Sequence, residues 1–409
     1  MNVLIVNYDF PPNAGIGGRR WAKLAKGLAM TGHNVFVIKA SALDGQASSP
    51  WLTDVTHERI KVIDVPRAYP TVMQRPVRSL LDRIKYRIAR WKLEQTAKGT
   101  IYDISLGWTH GLNNALNELN GQHTIEWILT TGAPWNMLYD VANWKQKHQH
   151  VKLLVDFRDP WINARNYGMS QLTGERLAWE KHKQNQVLLT ADVVTTPYAY
   201  LTRALREFSP DSKANFTVLT HFFDQEDMPP EQPNDHSVNL HFVYGGEMYV
   251  ECDGQLQWLR ERLHQLRTEQ PELYERVRFD FYSPTDRSDI FMGLENVSFH
   301  APIGKAIFQR CQKADGLILL LTPSKKDDLT TKFFEYLPLA KPLVALGVEG
   351  EVSKFVSDEN LGPVWTSDMT YESWKKTLED LHTKKYTTSF DYNQYELGPM
   401  TQKLLALLQ

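Results

Sequence analysis

Short apolar segments alternate with amphipathic segments along most of this chain of 409 residues. The first two apolar segments, residues 3–6 and 33–39, flank a stretch in which Trp21, Leu24 and Leu28 recur at helical spacing. This alternation predicts a β-loop-α-β unit, the usual beginning of a doubly wound parallel sheet. Further strands are predicted at residues 60–65, 101–106, 127–130, 153–157, 193–196 and 216–219.

A second series of the same kind follows a polar, proline-rich segment. Residues 224–238 show no hydrophobic periodicity, which predicts a linker. Strands are then predicted at residues 240–244, 277–282, 297–299, 316–321 and 343–346, and the apolar residues 400–408 predict a last helix. We therefore expect an α/β protein with two Rossmann-like domains, at 1–223 and 239–385, followed by a C-terminal segment at 386–409.

The composition is that of a soluble globular protein, with 42% hydrophobic and 23% charged residues. The formal net charge of −2 provides no overall attraction to nucleic acid, so we expect no nucleic-acid partner. Two cysteines are too few for a disulfide framework, which favours a reducing compartment. The first residues lack the features of a signal peptide, and no apolar run reaches the roughly 18 residues of a membrane span. We expect a cytoplasmic protein, or one peripheral on the inner face of the cytoplasmic membrane.

The most informative segment runs from Thr330 to Gly347, with the sequence T-T-K-F-F-E-Y-L-P-L-A-K-P-L-V-A-L-G. Thr330 and Thr331 predict the beginning of a helix, where free backbone N–H groups suit an anionic ligand such as a pyrophosphate. Lys332 supplies a cation. Glu335, one turn later, carries a carboxylate that can accept hydrogen bonds from ribose hydroxyls.

The order and spacing of this segment resemble the donor-sugar signature of retaining GT-B glycosyltransferases of the family 4-like type. Two departures are Pro338-Leu339, in place of a small residue, and Ala340, where glycine is usual. The resemblance implies two Rossmann-like domains facing each other across a cleft. The second domain would bind a nucleotide-sugar donor, the first would bind the acceptor, and the final helix would pack back on the first. An ordinary amphipathic helix that enters a core strand remains the alternative.

The glycine-rich loop before the first helix does not fit a nicotinamide dinucleotide. In Gly15-x-Gly17, Arg20 stands where the third glycine of that fingerprint belongs, and the second strand ends at Lys39 instead of an acidic residue. The loop resembles the P-P-x-x-G-G-x-x-R turn of family 4-like transferases. That resemblance implies that Gly17 and Gly18 approach the donor phosphates. A tight turn without a ligand is the alternative.

A strand predicted at residues 153–157 continues into a polar cluster. Asp156, Arg158 and Asp159 stand where a parallel sheet presents its carboxyl edge, the usual ligand-binding edge of such folds. The sequence D-F-R-D-P-W resembles an element of a bacterial surface-polysaccharide branch of the same family. It implies that Arg158 and Asp156 lie on the acceptor side and that Asp159 orients the acceptor as a candidate catalytic residue. An Arg–Asp pair that only fastens the loop is the alternative.

The second predicted domain begins with Tyr-Gly-Gly-Glu-Met, which contains Gly245. Many relatives carry an arginine after this glycine turn and a lysine further on, and both bind the diphosphate. Here Glu247 takes the first position and no lysine follows before Arg260. Lys332 and the N-terminus of the predicted helix should therefore carry a larger share of phosphate binding.

Two more donor-side residues follow from the resemblance. Relatives often have a second glutamate eight residues before the ribose-binding one, and Asp327 takes that position here as a second candidate catalytic residue. Asp328 is an equal candidate, and a solvated charged loop is the alternative. Ile303 follows a predicted strand at the point where the family holds the base, mostly through backbone groups.

Metal chemistry is not expected. No Asp-x-Asp pair occurs, and the 13 histidines show no paired-ligand spacing. We therefore expect neither a metal nor another cofactor, with the nucleotide sugar bound as a substrate.

Residues 75–92 combine positive charge with an amphipathic pattern. They contain seven Lys or Arg against one acid, and their apolar members Val77, Leu80, Leu81, Ile84, Ile88 and Trp91 fall within about one third of a helical wheel. Such a helix can lie on anionic lipid. A core-facing helix with a solvated basic back is the alternative.

The function that these motifs favour is glycosyl transfer from a nucleotide-diphosphate sugar to a hydroxyl of a glycan or a lipid-linked acceptor. Retention of configuration follows from the resemblance alone. Two other classes of protein stay open: a GT-B-fold nucleotide-sugar 2-epimerase, and a degenerate sugar-nucleotide binding protein, which Glu247 and Ala340 would fit.

Overall fold

The computed structural model of the protein describes residues 1–13, 16–43, 45, 48–164, 167–230, 239–382, 386 and 390–409. The chain forms two compact units, one of Met1–Thr220 with Thr401–Gln409 and the other of His221–Met400. Gly15 and part of the predicted linker, 231–238, lie outside the described residues, as do 383–385 and 387–389 around the start of the predicted C-terminal segment.

The first unit contains a seven-stranded parallel sheet. Its strands are β1 (Asn2–Val6), β2 (Asn34–Ala40), β3 (Ile60–Val65), β4 (Trp127–Gly132), β5 (Lys152–Phe157), β6 (Val193–Thr196) and β7 (Asn215–Val218). They lie in the order β3-β2-β1-β4-β5-β6-β7. Its helices are α1 (Arg19–Met30), α2 (Leu80–Thr96), α3 (Thr109–Gln122), α4 (Asn136–Gln146), α5 (Gly174–Thr190) and α6 (Ala199–Phe208). The central strands are almost continuously apolar because both faces of the sheet are covered.

The second unit contains a six-stranded parallel sheet. Its strands are β8 (Leu240–Gly245), β9 (Val277–Tyr282), β10 (Val297–His300), β11 (Gly316–Leu321), β12 (Leu343–Gly347) and β13 (Val364–Trp365), in the order β10-β9-β8-β11-β12-β13. The helices are α7 (Asp253–Glu269), α8 (Pro271–Arg276), α9 (Ile307–Gln312), α10 (Thr331–Tyr336), α11 (Glu351–Asp358), α12 (Tyr371–His382) and α13 (Leu397–Leu407), whose last residues belong to the first unit. The predicted fold class, two Rossmann-like α/β domains, is confirmed.

The strand order of each unit reverses at one point, which is where open α/β sheets usually bind ligands. The order reverses between β1 and β4 in the first sheet and between β8 and β11 in the second. The connections that leave such a pair of strands run in opposite directions, which opens a crevice at the carboxyl ends of the strands. The loops after β1 and after β8 are the glycine-rich loops that the sequence analysis identified.

The predicted strand at residues 101–106 is wrong, because this segment is an irregular turn before α3. Asp103 accounts for the difference. One carboxylate oxygen accepts hydrogen bonds from the backbone N–H groups of Trp135 and Asn136, at 2.7 and 2.8 Å, and the other accepts from Ser105 N at 2.9 Å. The polar side chains thus bind the beginning of α4, and the backbone forms no strand ladder.

The last residues of the chain pack within the first unit. Trp127 donates a hydrogen bond from Nε1 to the carbonyl of Leu408 at 2.8 Å, and a Cβ atom at Gly27 would lie 2.1 Å from Oγ1 of Thr401. The contact between Gly27 and Thr401 therefore requires a residue without a side chain at position 27.

Ala340 occupies the left-handed conformation that favours glycine, with φ of 50° and ψ of 39°. This explains physically why glycine is usual at this position in the signature. We predict that Ala340→Gly stabilises the second unit by about 1 kcal/mol, because the Cβ clash is removed. The measurement is the urea dependence of unfolding. Ala204→Gly, at an exposed position within α6, is the matched control and should destabilise by about 1 kcal/mol. A destabilised Ala340→Gly variant would contradict this account of the turn.

Candidate functional site

Two of the predicted donor-side motifs meet at the carboxyl end of β8. Gly245 N donates a hydrogen bond to the hydroxyl of Tyr336 at 3.1 Å, and Gly246 N donates to the carbonyl of Tyr282 at 2.9 Å. A Cβ atom on Gly246, whose φ is +155°, would lie 2.2 Å from Nζ of Lys332. Tyr336 and Lys332 both belong to α10, so this helix is fixed directly against the glycine turn formed by Gly245 and Gly246.

Lys332 is a half-buried cation at this turn. Its Nζ lies 5.3 Å from the centre of the Tyr244 ring, a cation–π contact. Burial lowers the pKa of the Lys332 amine, and the carboxylates of Glu335 and Glu247 act in the opposite direction. The arrangement holds a positive charge over bare backbone, where an anionic ligand can approach closely.

The other predicted donor-side residues of the 330–347 motif lie on the same short helix as Lys332 or at its N-cap. Thr330 is the N-cap residue of α10, but its side chain makes no capping hydrogen bond, and Thr331 is the first residue of the helix. Glu335 lies half-buried on the same short helix. Burial raises the pKa of the Cys311 thiol, and the carboxylate of Glu335 raises it further. Thr330, Thr331, Lys332 and Glu335 are therefore grouped on one element beside the glycine turn.

Asp327 has a structural partner that the sequence did not indicate. It lies in the loop after β11, and its Oδ1 accepts a hydrogen bond from the backbone N–H of Glu351 at 3.0 Å. A Cβ atom on Gly350 would lie 2.7 Å from the same oxygen. Asp328 is buried and pairs with Lys325 at 2.8 Å. Asp327 thus fastens its loop to the beginning of α11.

Ile303 lies in the loop after β10 with 38% of its surface exposed. Glu247 occupies the position where the resemblance predicts an arginine. Its side chain is exposed and accepts a hydrogen bond from the hydroxyl of Thr285 at 2.5 Å. This position of the glycine turn therefore carries a carboxylate and not a cation, and Lys332 is a basic residue that contacts the turn.

In the first unit, Asp156 is fully buried at the carboxyl end of β5. Its oxygens accept hydrogen bonds from Arg20 Nε at 3.0 Å, Trp21 Nε1 at 3.0 Å, Thr131 Oγ1 at 3.3 Å and Thr195 Oγ1 at 2.8 Å. The guanidinium of Arg20 also donates to the carbonyls of Leu219 and Thr220, at 2.6 and 2.7 Å. Asp156 therefore joins α1 to the sheet. The acceptor-side role expected for it is not supported, because its carboxylate is enclosed by protein.

Arg158 and Asp159 lie at the same edge but are more accessible. Arg158 donates from Nε to Asp159 Oδ2 at 3.0 Å and from its terminal nitrogen to the carbonyl of Gly17 at 2.8 Å. The Asp159 side chain keeps 45% of its surface exposed. Arg158 thus fastens the glycine-rich loop, as the structural alternative predicted, while Asp159 also presents a carboxylate to solvent.

Gly17 and Gly18 lie in close contact with other residues of the first unit. A Cβ atom on Gly17 would lie 3.2 Å from the guanidinium of Arg158, and one on Gly18 would lie 2.3 Å from the carbonyl of Asp9. A side chain at Gly18 would force that loop apart. The close approach that these glycines permit is therefore between segments of the first unit.

A charged cluster that the sequence did not indicate lies at the strand reversal of the first sheet. Asp9 lies in the loop after β1, and Arg67 follows β3 and lies 3.4 Å from Asp9 Oδ1. Burial raises the pKa of Asp9, although Arg67 and Arg158 act against it. Arg67 lies 4.9 Å from the centre of the Tyr8 ring, and the buried Tyr8 hydroxyl has no hydrogen-bond partner among the described residues. The position of Asp9 at the end of the first strand was the available signal.

No family model matches the sequence, and no curated protein matches it by sequence. Solved structures match it over its full length. Sucrose-phosphate synthase from Thermosynechococcus elongatus is 12% identical, with a TM-score of 0.64 and coverage of 100% of this chain and 98% of that one. A glycosyltransferase involved in lipopolysaccharide biosynthesis is 12% identical, with a TM-score of 0.57 and coverage of 100% and 99%. The UDP-GlcNAc 2-epimerase from Methanocaldococcus jannaschii is 9% identical, with a TM-score of 0.54 and coverage of 100% and 99%.

At sequence identities of 9–12%, the similarity to these solved structures shows the fold alone. The protein has the two-domain α/β fold of GT-B glycosyltransferases. Both transferases and a 2-epimerase occur among its structural neighbours. The fold alone therefore does not specify the reaction, which depends on the residues of the site.

Proposed function

We propose that the protein is a glycosyltransferase that moves a sugar from a nucleotide-diphosphate donor to a hydroxyl of a glycan or a lipid-linked acceptor. The observation that carries this proposal is the half-buried Lys332 amine held over the Gly245–Gly246 turn at the strand reversal of the second unit. A cation over bare backbone suits a diphosphate, since the phosphate oxygens can contact both the ammonium group and the peptide N–H groups.

Lys332 would act mainly on the leaving group. Negative charge accumulates on the nucleotide diphosphate as the bond to the sugar breaks, and a preorganised cation stabilises that charge more than it stabilises the ground state. Glu335 would accept hydrogen bonds from the ribose hydroxyls. Thr330 and Thr331 would lie beside the phosphates of the donor, and backbone groups around Ile303 would contact its base.

We infer retention of configuration from the resemblance of residues 330–347 to retaining transferases. The departing phosphate would then take the proton of the incoming hydroxyl on the same face of the sugar, without a dedicated protein base. Asp159 would orient the acceptor through its exposed carboxylate. Because Lys332 supplies the positive charge, we expect transfer to continue unchanged when a chelator removes divalent metal ions.

The test of the donor site is Glu335→Ala. Loss of a carboxylate that accepts ribose hydrogen bonds should raise the Kd of the nucleoside diphosphate about 10- to 100-fold, since hydrogen bonds to charged groups contribute about 1.5–3 kcal/mol each. Isothermal titration calorimetry measures this change. Glu272→Ala, at an exposed glutamate of α8, is the matched control and should leave the Kd unchanged. Equal nucleotide affinity in Glu335→Ala and the wild type would remove the basis of the site assignment.

A nucleotide-sugar 2-epimerase is the second candidate, favoured by the full-length structural match to UDP-GlcNAc 2-epimerase. It would use the same Lys332 and Glu335 without an acceptor. Incubation with UDP-GlcNAc alone, followed by proton NMR, separates the two reactions, since only an epimerase forms the 2-epimer without an acceptor. A degenerate binding protein would bind nucleotide and turn over neither substrate.

A further inference from the structure

Helix α2 of the first unit exposes its apolar side chains. None of its 17 residues is buried. The exposed apolar residues of this segment are Val77 (41%), Leu80 (75%), Leu81 (68%), Ile84 (54%), Ile88 (50%) and Trp91 (60%). We call this set the apolar stripe. The core-facing alternative considered for residues 75–92 is wrong, because the stripe contacts solvent.

The orientation of α2 explains this exposure. Its half-buried residues include Asp82, Tyr86, Ala89 and Leu93, which mark the face that packs against the first unit. At 3.6 residues per turn, the centre of the apolar stripe lies roughly 160° around the helix from the centre of that face. The helix therefore lies against the unit with the face formed by these four residues and directs the apolar stripe outward. Six large apolar side chains on one exposed helix face form a patch of the kind that marks a docking site.

Cations border the apolar stripe on both sides. At the same helical spacing, Lys85 and Lys92 fall next to one edge of the stripe, and Arg83, Arg87 and Arg90 fall beyond the other. Helix α2 has two acids. Asp82 lies at its beginning, where it accepts from Ser79 N at 3.1 Å and donates its own N–H to Ser79 Oγ at 3.0 Å, and Glu94 lies near its end and pairs with Arg90 at 2.8 Å. The whole chain has a net charge of −2, so this concentration of positive charge is local.

The apolar surface continues beside the helix. A cavity of about 610 Å³ opens on the Lys85 and Lys92 side of α2, and its lining includes Pro70, Ile88 and Leu106. Because Ile88 belongs to both surfaces, the stripe and the cavity are contiguous. Two lysines at the edge of an apolar cavity suit a molecule with an anionic head and an apolar tail.

We propose that α2 is an in-plane membrane-docking helix whose occupant is an anionic phospholipid bilayer. The apolar stripe would enter the boundary between headgroups and acyl chains, with Trp91 at the interface and the flanking cations at the phosphate level. No helix among the described residues is long and apolar enough to span a bilayer, so attachment would be interfacial. Pairing with a second copy is disfavoured by charge, because two such helices would bring two sets of seven cations together. The proposal stands independently of the proposed transferase activity.

Flotation of the purified full-length protein with lipid vesicles tests the proposal. One set of vesicles is phosphatidylcholine alone, and the other contains about one third phosphatidylglycerol, an anionic lipid. We expect at least about tenfold tighter partitioning to the anionic vesicles, and weaker partitioning as salt is added, because salt screens the attraction. Equal partitioning to both vesicles, or none to either, would overturn the proposal.

Two variants separate the apolar and the electrostatic contributions. Leu81→Ser/Ile84→Ser/Trp91→Ser should lower partitioning to anionic vesicles about 30-fold or more, since it removes apolar area from the interface. Arg83→Gln/Arg87→Gln/Lys92→Gln should also lower it about 30-fold or more and should reduce the preference for anionic lipid, since three of the seven cations are removed. Both variants change exposed side chains, so their thermal unfolding should match the wild type.

Matched controls change the same kinds of residue elsewhere on the surface. Met30→Ser/Met292→Ser removes two exposed apolar side chains, and Lys61→Gln/Lys213→Gln removes two exposed cations. Both controls should partition like the wild type. If they lose as much binding as the α2 variants, or if light scattering without lipid shows a dimer that Leu81→Ser/Ile84→Ser/Trp91→Ser dissociates, the lipid assignment is overturned.

Discussion

Replacing Lys332 with methionine should lower kcat/KM for sugar transfer by roughly 10²–10³-fold, the usual effect of removing one preorganised group that stabilises transition-state charge. Methionine keeps the aliphatic stem that lies along Gly246 and Tyr244 but removes the ammonium group. Because the amine would stabilise the leaving diphosphate more than the bound donor, most of the loss should appear in kcat. Steady-state kinetics with varied donor concentration measures the two parameters separately.

The control for this variant is Lys354→Met, which removes an exposed lysine paired with Asp358 on the surface of α11. It should leave both kinetic parameters unchanged. A Lys332→Met enzyme with wild-type kcat and KM would show that the diphosphate is bound elsewhere.

Replacing Asp156 with alanine should destabilise the first unit by about 3–5 kcal/mol, because the buried guanidinium of Arg20 would lose the carboxylate that accepts two of its hydrogen bonds. Both side chains are almost completely buried, with 4% of Arg20 and none of Asp156 accessible. The change also leaves the indole N–H of Trp21 and two threonine hydroxyls without their acceptor. Urea unfolding followed by far-UV circular dichroism measures the loss.

Two comparisons make this stability prediction specific. The double variant Arg20→Met/Asp156→Leu should lose less than the sum of its single variants, because the pair is removed together. Asp358→Asn, which breaks an exposed ion pair, should change stability by less than about 1 kcal/mol. A loss of under about 1 kcal/mol in Asp156→Ala would contradict the structural role that we assign to this carboxylate.

The fold could be predicted largely from the alternation of apolar segments and helical patterns. Hydrophobic periodicity gave the wrong prediction at residues 101–106, where the apolar pattern resembles a strand but Asp103 and Ser105 bind the start of α4. It also missed β13, because two residues carry too little periodicity to be recognised. Both errors concern short segments whose conformation depends on contacts distant in sequence.

The candidate site was predicted best where one short segment carries the chemistry. Lys332 and Glu335 lie within one turn of helix, so their proximity follows from their spacing. The Gly245–Gly246 turn lies far from them in sequence. The family resemblance, and not the spacing, assigned this turn and the helix to one donor site. The contact between Asp9 and Arg67 was not predicted, because no motif links a residue after β1 to one in a loop after β3.

Asp156 and Asp159 show why a motif does not assign roles by itself. Both belong to the same short polar run, but Asp156 still lies within β5 and its side chain packs against α1, whereas Asp159 lies beyond the strand. Strands of a parallel sheet are covered on both faces, so the sequence does not reveal which carboxylate is enclosed. The same ambiguity applied to α2, whose apolar pattern alone did not distinguish a core-facing helix from an exposed one.

The most direct test of the central claim is a thermal-shift measurement of the protein with UDP, GDP, dTDP, ADP and their common sugar conjugates, without metal. A ligand at about 100 times its Kd stabilises the folded state by about 2.7 kcal/mol, enough to raise the unfolding temperature by several degrees. The account predicts that one nucleotide raises the unfolding temperature in the wild type and has a much smaller effect in Glu335→Ala and Lys332→Met. No shift with any nucleotide, or an equal shift in both variants, would contradict it.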